Sequence, residues 1–505
     1  MQPLARLRAW CESRGVPYAY LLFALLMLRL AHRGANKDVA RENIISFFAA
    51  VVPTELAHKL LPINAAVLYA VVSSARGRAA LDHWVGAIAG VAQLVAVHHF
   101  MRNHQQNVSA KQLIRLALSH AGLPASRVAT IGDLSVTQWL GVMLPLPQRL
   151  ALTLAYPGVQ MIKTVTYAHV GENRTTKLRM DVYKHKSNAR PNAPILLYVH
   201  GGAWVVGSRD RPPLPLIYQV ASRGWVVCSV DYRLSPKVAF PEHLIDVKRA
   251  IAFLRQHAKR MFDADPAFIA VAGESAGGHL ASLVALTPTD KSLQPGFEHV
   301  DTSVRACVDT YGVHDVKDRH GLYYNKDKGP GFLRFMELIV MQRRLNESDL
   351  DYELASPISW LMEDKLTHVK SSSQVVPPFL VTHGTHDTLV PFDDSGIFFE
   401  KLQQYRQRTQ QRLGGVEDAF LELPGAHHAF NYLMSPRSLA FGDAVCLFLE
   451  HVHARTKQLP LGTGEAAVAA SSSSAASLDL DQRRIEALAV EVSTASSAGV
   501  VSSRL

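Results

Sequence analysis

The sequence predicts an α/β fold: a mostly parallel sheet of eight strands covered by helices on both faces, preceded by an apolar helical region of different character. Three observations predict it. Short, uninterrupted apolar runs such as 195–199 and 268–272 are what strands buried on both faces look like. Longer amphipathic stretches, 241–257, 275–286, 394–408 and 436–454, separate the later runs, as a layered sheet-and-helix domain requires. Two glycine-rich segments, 200–204 and 273–278, follow directly on apolar runs, where a parallel strand ends and the chain turns.

Taken in order, the strand-like runs are 163–169, 178–184, 195–199, 225–230, 268–272, 303–309, 378–382 and 418–423. The polar turn around Gly171, Glu172 and Asn173 joins the first two, which are expected to form an antiparallel hairpin at one edge. These runs place a catalytic domain at 161–457, with an insertion over 314–360 rich in Phe332, Leu333, Phe335, Met336, Leu338, Ile339 and Met341. That insertion fits either an acyl pocket or plain helix core. Beyond residue 457 the chain turns to Ala, Ser and Gly, and 458–505 is expected to be disordered, with at most a turn or two of helix at 485–492.

Residues 1–150 read differently. They hold fifteen Lys and Arg against six Asp and Glu, so most of the net charge of +10 lies there. Apolar stretches occupy 15–28, 43–54, 60–75 and 83–101, against the roughly 20 residues that a helical span needs. The region 1–105 is therefore expected to consist of membrane helices, with 60–75 and 83–101 as a hairpin around Arg76 and Arg78. The positive-inside rule would put that loop in the cytoplasm. Arg29, His32 and Arg33 intrude where a cleavage site would follow the first apolar run, so an uncleaved anchor is expected. Residues 106–160 read as linker helices, with 113–118 amphipathic and suited to a bilayer surface. Because strands begin only at 163, the sheet is expected to be complete without residues 1–160. A basic, apolar region points to a membrane partner, and no basic-aromatic stripe argues for nucleic acid. The four cysteines are scattered without metal spacing, and no His-Glu-x-x-His cluster occurs, so neither metal nor cofactor is expected.

The chemistry lies in the glycine segments. Gly273-Glu274-Ser275-Ala276-Gly277 fits the strand-to-helix turn that holds a serine in a strained, exposed position. A serine hydroxyl needs a base to become a nucleophile. His200-Gly201-Gly202-Ala203-Trp204 supplies backbone N–H groups, and those of Gly201, Gly202 and Ala276 are expected to form an oxyanion hole. His200 comes too early to be the base and is expected to brace the loop. Asp387 follows the seventh strand and is the acid candidate; Asp393 and Asp394 are rivals that look like helix caps. For the base, His427 and His428 are adjacent. His428 is chosen because it precedes Ala429 and Phe430, which leaves His427 to solvent or a supporting place. The order Ser275, Asp387, His428 is that of the α/β-hydrolase fold.

These residues, with Asp231 to Pro236, Phe240-Pro241 and Asp265-Pro266, resemble the hormone-sensitive-lipase-like branch of the α/β-hydrolase esterases. The likeness covers about 165–455, and the layout is similar to that of membrane-associated actinobacterial esterases. Ser235-Pro236-Lys237 stands where the family often has Ala-Pro-Glu, a departure that bears on loop packing. The resemblance implies hydrolysis of a small-molecule or lipid carboxylic ester through an acyl-enzyme on Ser275. The residues alone also admit an amide or formamide hydrolase with the same triad. A non-catalytic ligand-binding receptor would be expected to lack a triad member, and none is missing.

Overall fold

The computed structural model describes residues 2–36, 44–188, 190–288, 290–323, 331–363, 365–366 and 375–457, so the Ala/Ser-rich tail lies outside the described residues. Eight strands form one sheet: β1 (Val159–Val170), β2 (Thr176–His185), β3 (Ala193–Val199), β4 (Val226–Val230), β5 (Ala264–Glu274), β6 (Cys307–Thr310), β7 (Phe379–Gly384) and β8 (Ala419–Leu423). Their order is β1-β2-β4-β3-β5-β6-β7-β8. β1 and β2 form an antiparallel edge, β2 meets β4 antiparallel, and every later pairing is parallel. β3 and β4 are buried along their whole length, which explains why they read as unbroken apolar runs. This is an α/β-hydrolase sheet.

The N-terminal region is helical: α1 (Gln2–Ala35), α2 (Ile44–Glu55), α3 (Ala57–Ser73), α4 (Ala75–Leu81), α5 (Trp84–His120), then the short α6 (Ala125–Val128), α7 (Val136–Met143) and α8 (Gln148–Ala155). Among the described residues, two helices are long and apolar enough to cross a membrane, Gly15–Ala35 and Trp84–His120. A third span results if Ala49–Glu55 and Ala57–Ser73, bent by 77°, count as one. α1 lies along α5, and α3 packs on α5 across the turn that α4 makes. Leu22, Leu25, Leu26, Tyr69, Trp84, Ile88, Val91 and Leu94 are exposed on these helices, an apolar surface larger than scattered single residues account for.

The remaining helices are α9 (Leu214–Ser222), α10 (Glu242–Phe262), α11 (Ala276–Leu286), α12 (Gly331–Phe335), α13 (Asp349–Ala355), α14 (Pro357–Leu361), α15 (Phe392–Thr409) and α16 (Pro436–Thr456). Alternation along the strands divides the core. Ile195, Leu197 and Val199 face α10, α11 and α15. Leu196 and Tyr198 face α9, α16 and the last turns of α5. In the insertion, Met336, Val340 and Met341 are fully buried in the first core, while Leu338 and Leu350 are exposed, so most of its described apolar residues pack as core. Cys228, Cys307 and Cys446 are buried and unpaired.

The boundary expected near residue 105 falls inside a helix. Nothing between Trp84 and His120 breaks α5, which ends only where Gly122 adopts φ +78° and Leu123 N–H bonds the Leu118 carbonyl at 3.1 Å. The apolar face of the 113–118 stretch is turned to the hydrolase core: Ile114 and Leu118 are fully buried with Leu421 and Phe448. A buried ion pair ties the regions again. Glu55 of α2 meets Arg437 of α16, both fully buried. Ser435 Oγ donates to Glu55 at 2.7 Å and Asn107 Nδ2 at 3.0 Å. Asn107 Oδ1 in turn accepts the Arg437 N–H at 2.8 Å. The sheet is complete from residue 159, but one of its faces is left partly open, around β8, without α5.

Two outcomes follow. A fragment beginning at 161 is expected to aggregate or to unfold well below the full-length chain, because its apolar α5-facing surface meets water. Glu55→Ala, which strands a buried guanidinium, is expected to cost about 3–5 kcal/mol. Thermal unfolding of the full chain in detergent checks the second, and an unchanged midpoint would contradict it.

Candidate active site

Ser275 is the first residue after β5 and the N-cap of α11, at φ 53° and ψ −122°. A non-glycine residue with positive φ is uncommon and strained. Close packing holds it there. A Cβ at Gly273 would come within 2.1 Å of the Gly277 carbonyl oxygen, and one at Gly277 within 2.1 Å of the Val199 carbonyl oxygen. The turn is thus pressed against itself and against the end of β3, which only glycine allows. Ser275 is half-buried, and its N–H bonds the Thr310 carbonyl at the end of β6 at 3.0 Å. The α11 N-terminus behind it favours negative charge.

The 200–204 segment leaves β3 beside this turn. A Cβ built at Gly201 would lie 3.2 Å from Ser275 Cβ. The Gly201 N–H, however, points at the Glu274 carboxylate, 3.5 Å from Oε1, so it is turned away from the open donor role expected of it. Among the described residues no acceptor is paired with the N–H groups of Gly202, Ala203 or Ala276. Gly202 and Ala203 have φ of +118° and +51°, and both reach solvent. Ala203 was not singled out by sequence because alanine rarely takes this conformation. His200 braces the loop: it is buried, stacks on Tyr232 at 4.4 Å, and its Nδ1 lies 2.7 Å from the Gly201 carbonyl oxygen. Tyr232 Oη donates to the His200 carbonyl at 3.0 Å, and its neighbour Asp231 pairs with Arg209 at 2.9 Å.

Asp387 and His428 come together from the loops after β7 and β8. His428 Nδ1 is 2.6 Å from Asp387 Oδ2. Asp387 Oδ1 accepts the N–H groups of Leu389 and Val390, each at 3.0 Å, and His383 Nε2 is 3.3 Å from Oδ2. Burial alone would raise this carboxyl, but His428 and His383 outweigh it and hold Asp387 well below the usual carboxylate range. Both residues are almost fully buried. His427 does not face solvent: it is 1% exposed, with Nε2 3.1 Å from the Gly34 carbonyl oxygen.

Ser275 and His428 are linked through the end of β6. The residue after Thr310, Tyr311, lays its ring against His428 at 4.3 Å. Glu274 lies beneath. Its carboxyl accepts from Tyr311 Oη at 3.1 Å, from Tyr432 Oη and from Asn431 Nδ2 at 3.4 Å. Burial raises its pKa against the opposing tyrosine bonds. Glu274 therefore joins the Ser275 turn, the Gly201 loop and the His428 loop. A charged residue closing an apolar strand is the signal that marks it in sequence. Among the described residues, no group of three or more His, Cys, Asp or Glu is placed to hold a metal ion.

Residues 180–402 match the family model described as BD-FAE. The chain is 38% identical over 280 residues to esterase LipC of Mycobacterium tuberculosis, covering 55% of this chain and 63% of that protein. It is 37% identical over 262 residues to the probable carboxylic ester hydrolase LipM of the same organism, covering 52% and 55%. Among solved structures, the esterase Est2 of Thermogutta terrifontis is 23% identical, with a TM-score of 0.44, over 59% of this chain and 93% of that one. The chain is similar to carboxylesterases of the hormone-sensitive-lipase-like type, and it spans about six-tenths of the length of the curated relatives it matches.

A second buried charge cluster lies behind the acid. His314 sits between Asp309 Oδ2, 2.9 Å from its Nε2, and Asp394 Oδ2, 3.0 Å from its Nδ1. Asp394 is thereby committed to His314 and is no rival to Asp387. Burial would lower the His314 pKa, but the two carboxylates raise it to about 9. Its stabilising contribution is therefore complete below the unfolded value of about 6.5 and is lost as pH rises through about 9. The unfolding midpoint should fall between pH 7 and 9, and His314→Gln should flatten that slope. Parallel wild-type and variant profiles would contradict this.

Proposed function

We propose that this protein is a membrane-attached serine carboxylesterase. The observation that carries the reading is the strained Ser275 turn at the end of β5, joined through Thr310 and Tyr311 to a His428–Asp387 pair at 2.6 Å. Ser275 Oγ attacks the ester carbonyl carbon and passes its proton to His428. Asp387 keeps the His428 proton on Nδ1 and stabilises the imidazolium that forms. The tetrahedral oxyanion accepts from the N–H groups of Gly202, Ala203 and Ala276, while Gly201 holds the loop on Glu274. One such donor is worth about 2.7–4 kcal/mol of barrier. Collapse expels the alcohol, which takes the proton from His428; water then enters by the same route and releases the acid.

Support for an ester over an amide comes from the relatives, which are named esterases or a carboxylic ester hydrolase. The substrate class is a small-molecule or lipid ester. The apolar side chains exposed along Gly15–Ala35 and Trp84–His120 support attachment through residues 1–105.

Two measurements test this reading. Ser275→Ala in the full-length chain should lose turnover of p-nitrophenyl esters by a factor on the order of 10⁴ or more while unfolding at the wild-type temperature. Full activity in the folded variant would overturn the assignment. The full-length chain should also stay with membranes through carbonate extraction, and its release into the supernatant would overturn the spanning helices.

A further inference from the structure

The loop that carries His428, residues 424–435 between β8 and α16, is gripped by the N-terminal helices. At its start, the Pro424 carbonyl accepts from Arg437 Nη2 at 2.9 Å, and the other arm of Arg437 is paired with Glu55 of α2. Next to it, Gln106 of α5 lies so close to Gly425 that a Cβ there would meet Gln106 Oε1 at 2.3 Å. Beside the base itself, His427 Nε2 is 3.1 Å from the Gly34 carbonyl oxygen.

Gly34 is the penultimate residue of α1. Its carbonyl is one of the last four of the helix, which have no partner along the helix axis. A carbonyl only accepts, so His427 carries its proton on Nε2. Burial, the largest influence on this ring, lowers its pKa and keeps it neutral. The same carbonyl accepts from Thr54 Oγ1 of α2 at 3.2 Å. A Cβ at Gly34 would come within 2.8 Å of Asn103 Nδ2 of α5 and 2.9 Å of Thr54 Oγ1. α2 and α5 thus close on Gly34 of α1, and His427 plugs into its carbonyl.

We propose that His427 is a positioning residue: its bond to the Gly34 carbonyl fixes the loop so that the adjacent His428 keeps its Nδ1 on Asp387. The N-terminal helices are then a working part of the active site as well as an anchor. This rests on the esterase reading above. A misplacement of about 1 Å in a reacting group can cost on the order of 10²-fold in rate, and residues 427 and 428 share a peptide bond.

The test uses the full-length chain in detergent, with kcat and KM measured per folded molecule on a p-nitrophenyl ester. His427→Gln places an amide N–H near the position of Nε2, whereas His427→Asn stops one bond short of Gly34. His427→Asn is expected to lower kcat about tenfold or more with KM changed by less than about twofold, and His427→Gln to recover kcat to within about threefold of wild type. Glu55→Asp, which draws the carboxylate back from Arg437 at the other grip, is expected to lower kcat in the same KM-neutral way. It carries the test if His427→Asn does not fold. Wild-type kcat in His427→Asn, equal losses in the Asn and Gln variants, a loss that falls on KM, or wild-type kcat in Glu55→Asp would each overturn the positioning role and leave the esterase reading standing. A wild-type chain that turns over no ester would overturn the esterase reading itself.

Discussion

Ser275 is held in a backbone conformation, φ 53° and ψ −122°, that costs an ordinary residue on the order of 1–3 kcal/mol. Such strain persists only where the surroundings over-determine it. Here the ends of three neighbouring strands do so. The Val199 carbonyl of β3 leaves no room for a side chain at Gly277, the Gly277 carbonyl leaves none at Gly273, and the Thr310 carbonyl of β6 takes the Ser275 N–H. The parallel register of β3, β5 and β6 thereby becomes a requirement of the Ser275 turn. The apolar packing on both faces of these strands is what keeps that register fixed.

The same turn organises the site around it. Glu274 precedes Ser275 in β5 and points away from solvent, where it ties the Gly201 N–H, Tyr311, Asn431 and Tyr432 together. An uncompensated buried carboxyl would be costly; with these partners it becomes a rigid node between the Gly201 loop and the His428 loop. Tyr311 completes the connection by lying under His428. The Ser275 turn, the Gly201 loop and the His428 loop are thus held by one buried polar network on a stiff sheet.

Much of this was legible in the sequence because the features are local. Glycine spacing around Ser275, the strand before Asp387, and the run of apolar strands all follow from short-range sterics and periodicity, so the eight-stranded sheet and the Asp387–His428 pairing could be anticipated. What escaped depended on tertiary contact. The Gly201 N–H was counted as an oxyanion donor because nothing local shows that Glu274 reaches it. For His427 the sequence leaves solvent and a supporting place both open, because its acceptor is Gly34, nearly four hundred residues earlier. α5 was divided near residue 105 because its apolar half and its amphipathic half have different surroundings. Yet one unbroken helix serves both, with Trp84, Ile88 and Val91 exposed and Ile114 and Leu118 in the hydrolase core. Hydropathy separates environments; it does not mark where a helix ends.

The central claim is that one serine forms the acyl-enzyme. Reacting the full-length chain with a fluorophosphonate and mapping the adduct by peptide mass spectrometry tests it most directly. A single stoichiometric adduct on the peptide containing Ser275, lost when the chain is unfolded before reaction, is the expected result. An adduct on another serine, or none in a preparation that hydrolyses esters, would contradict it.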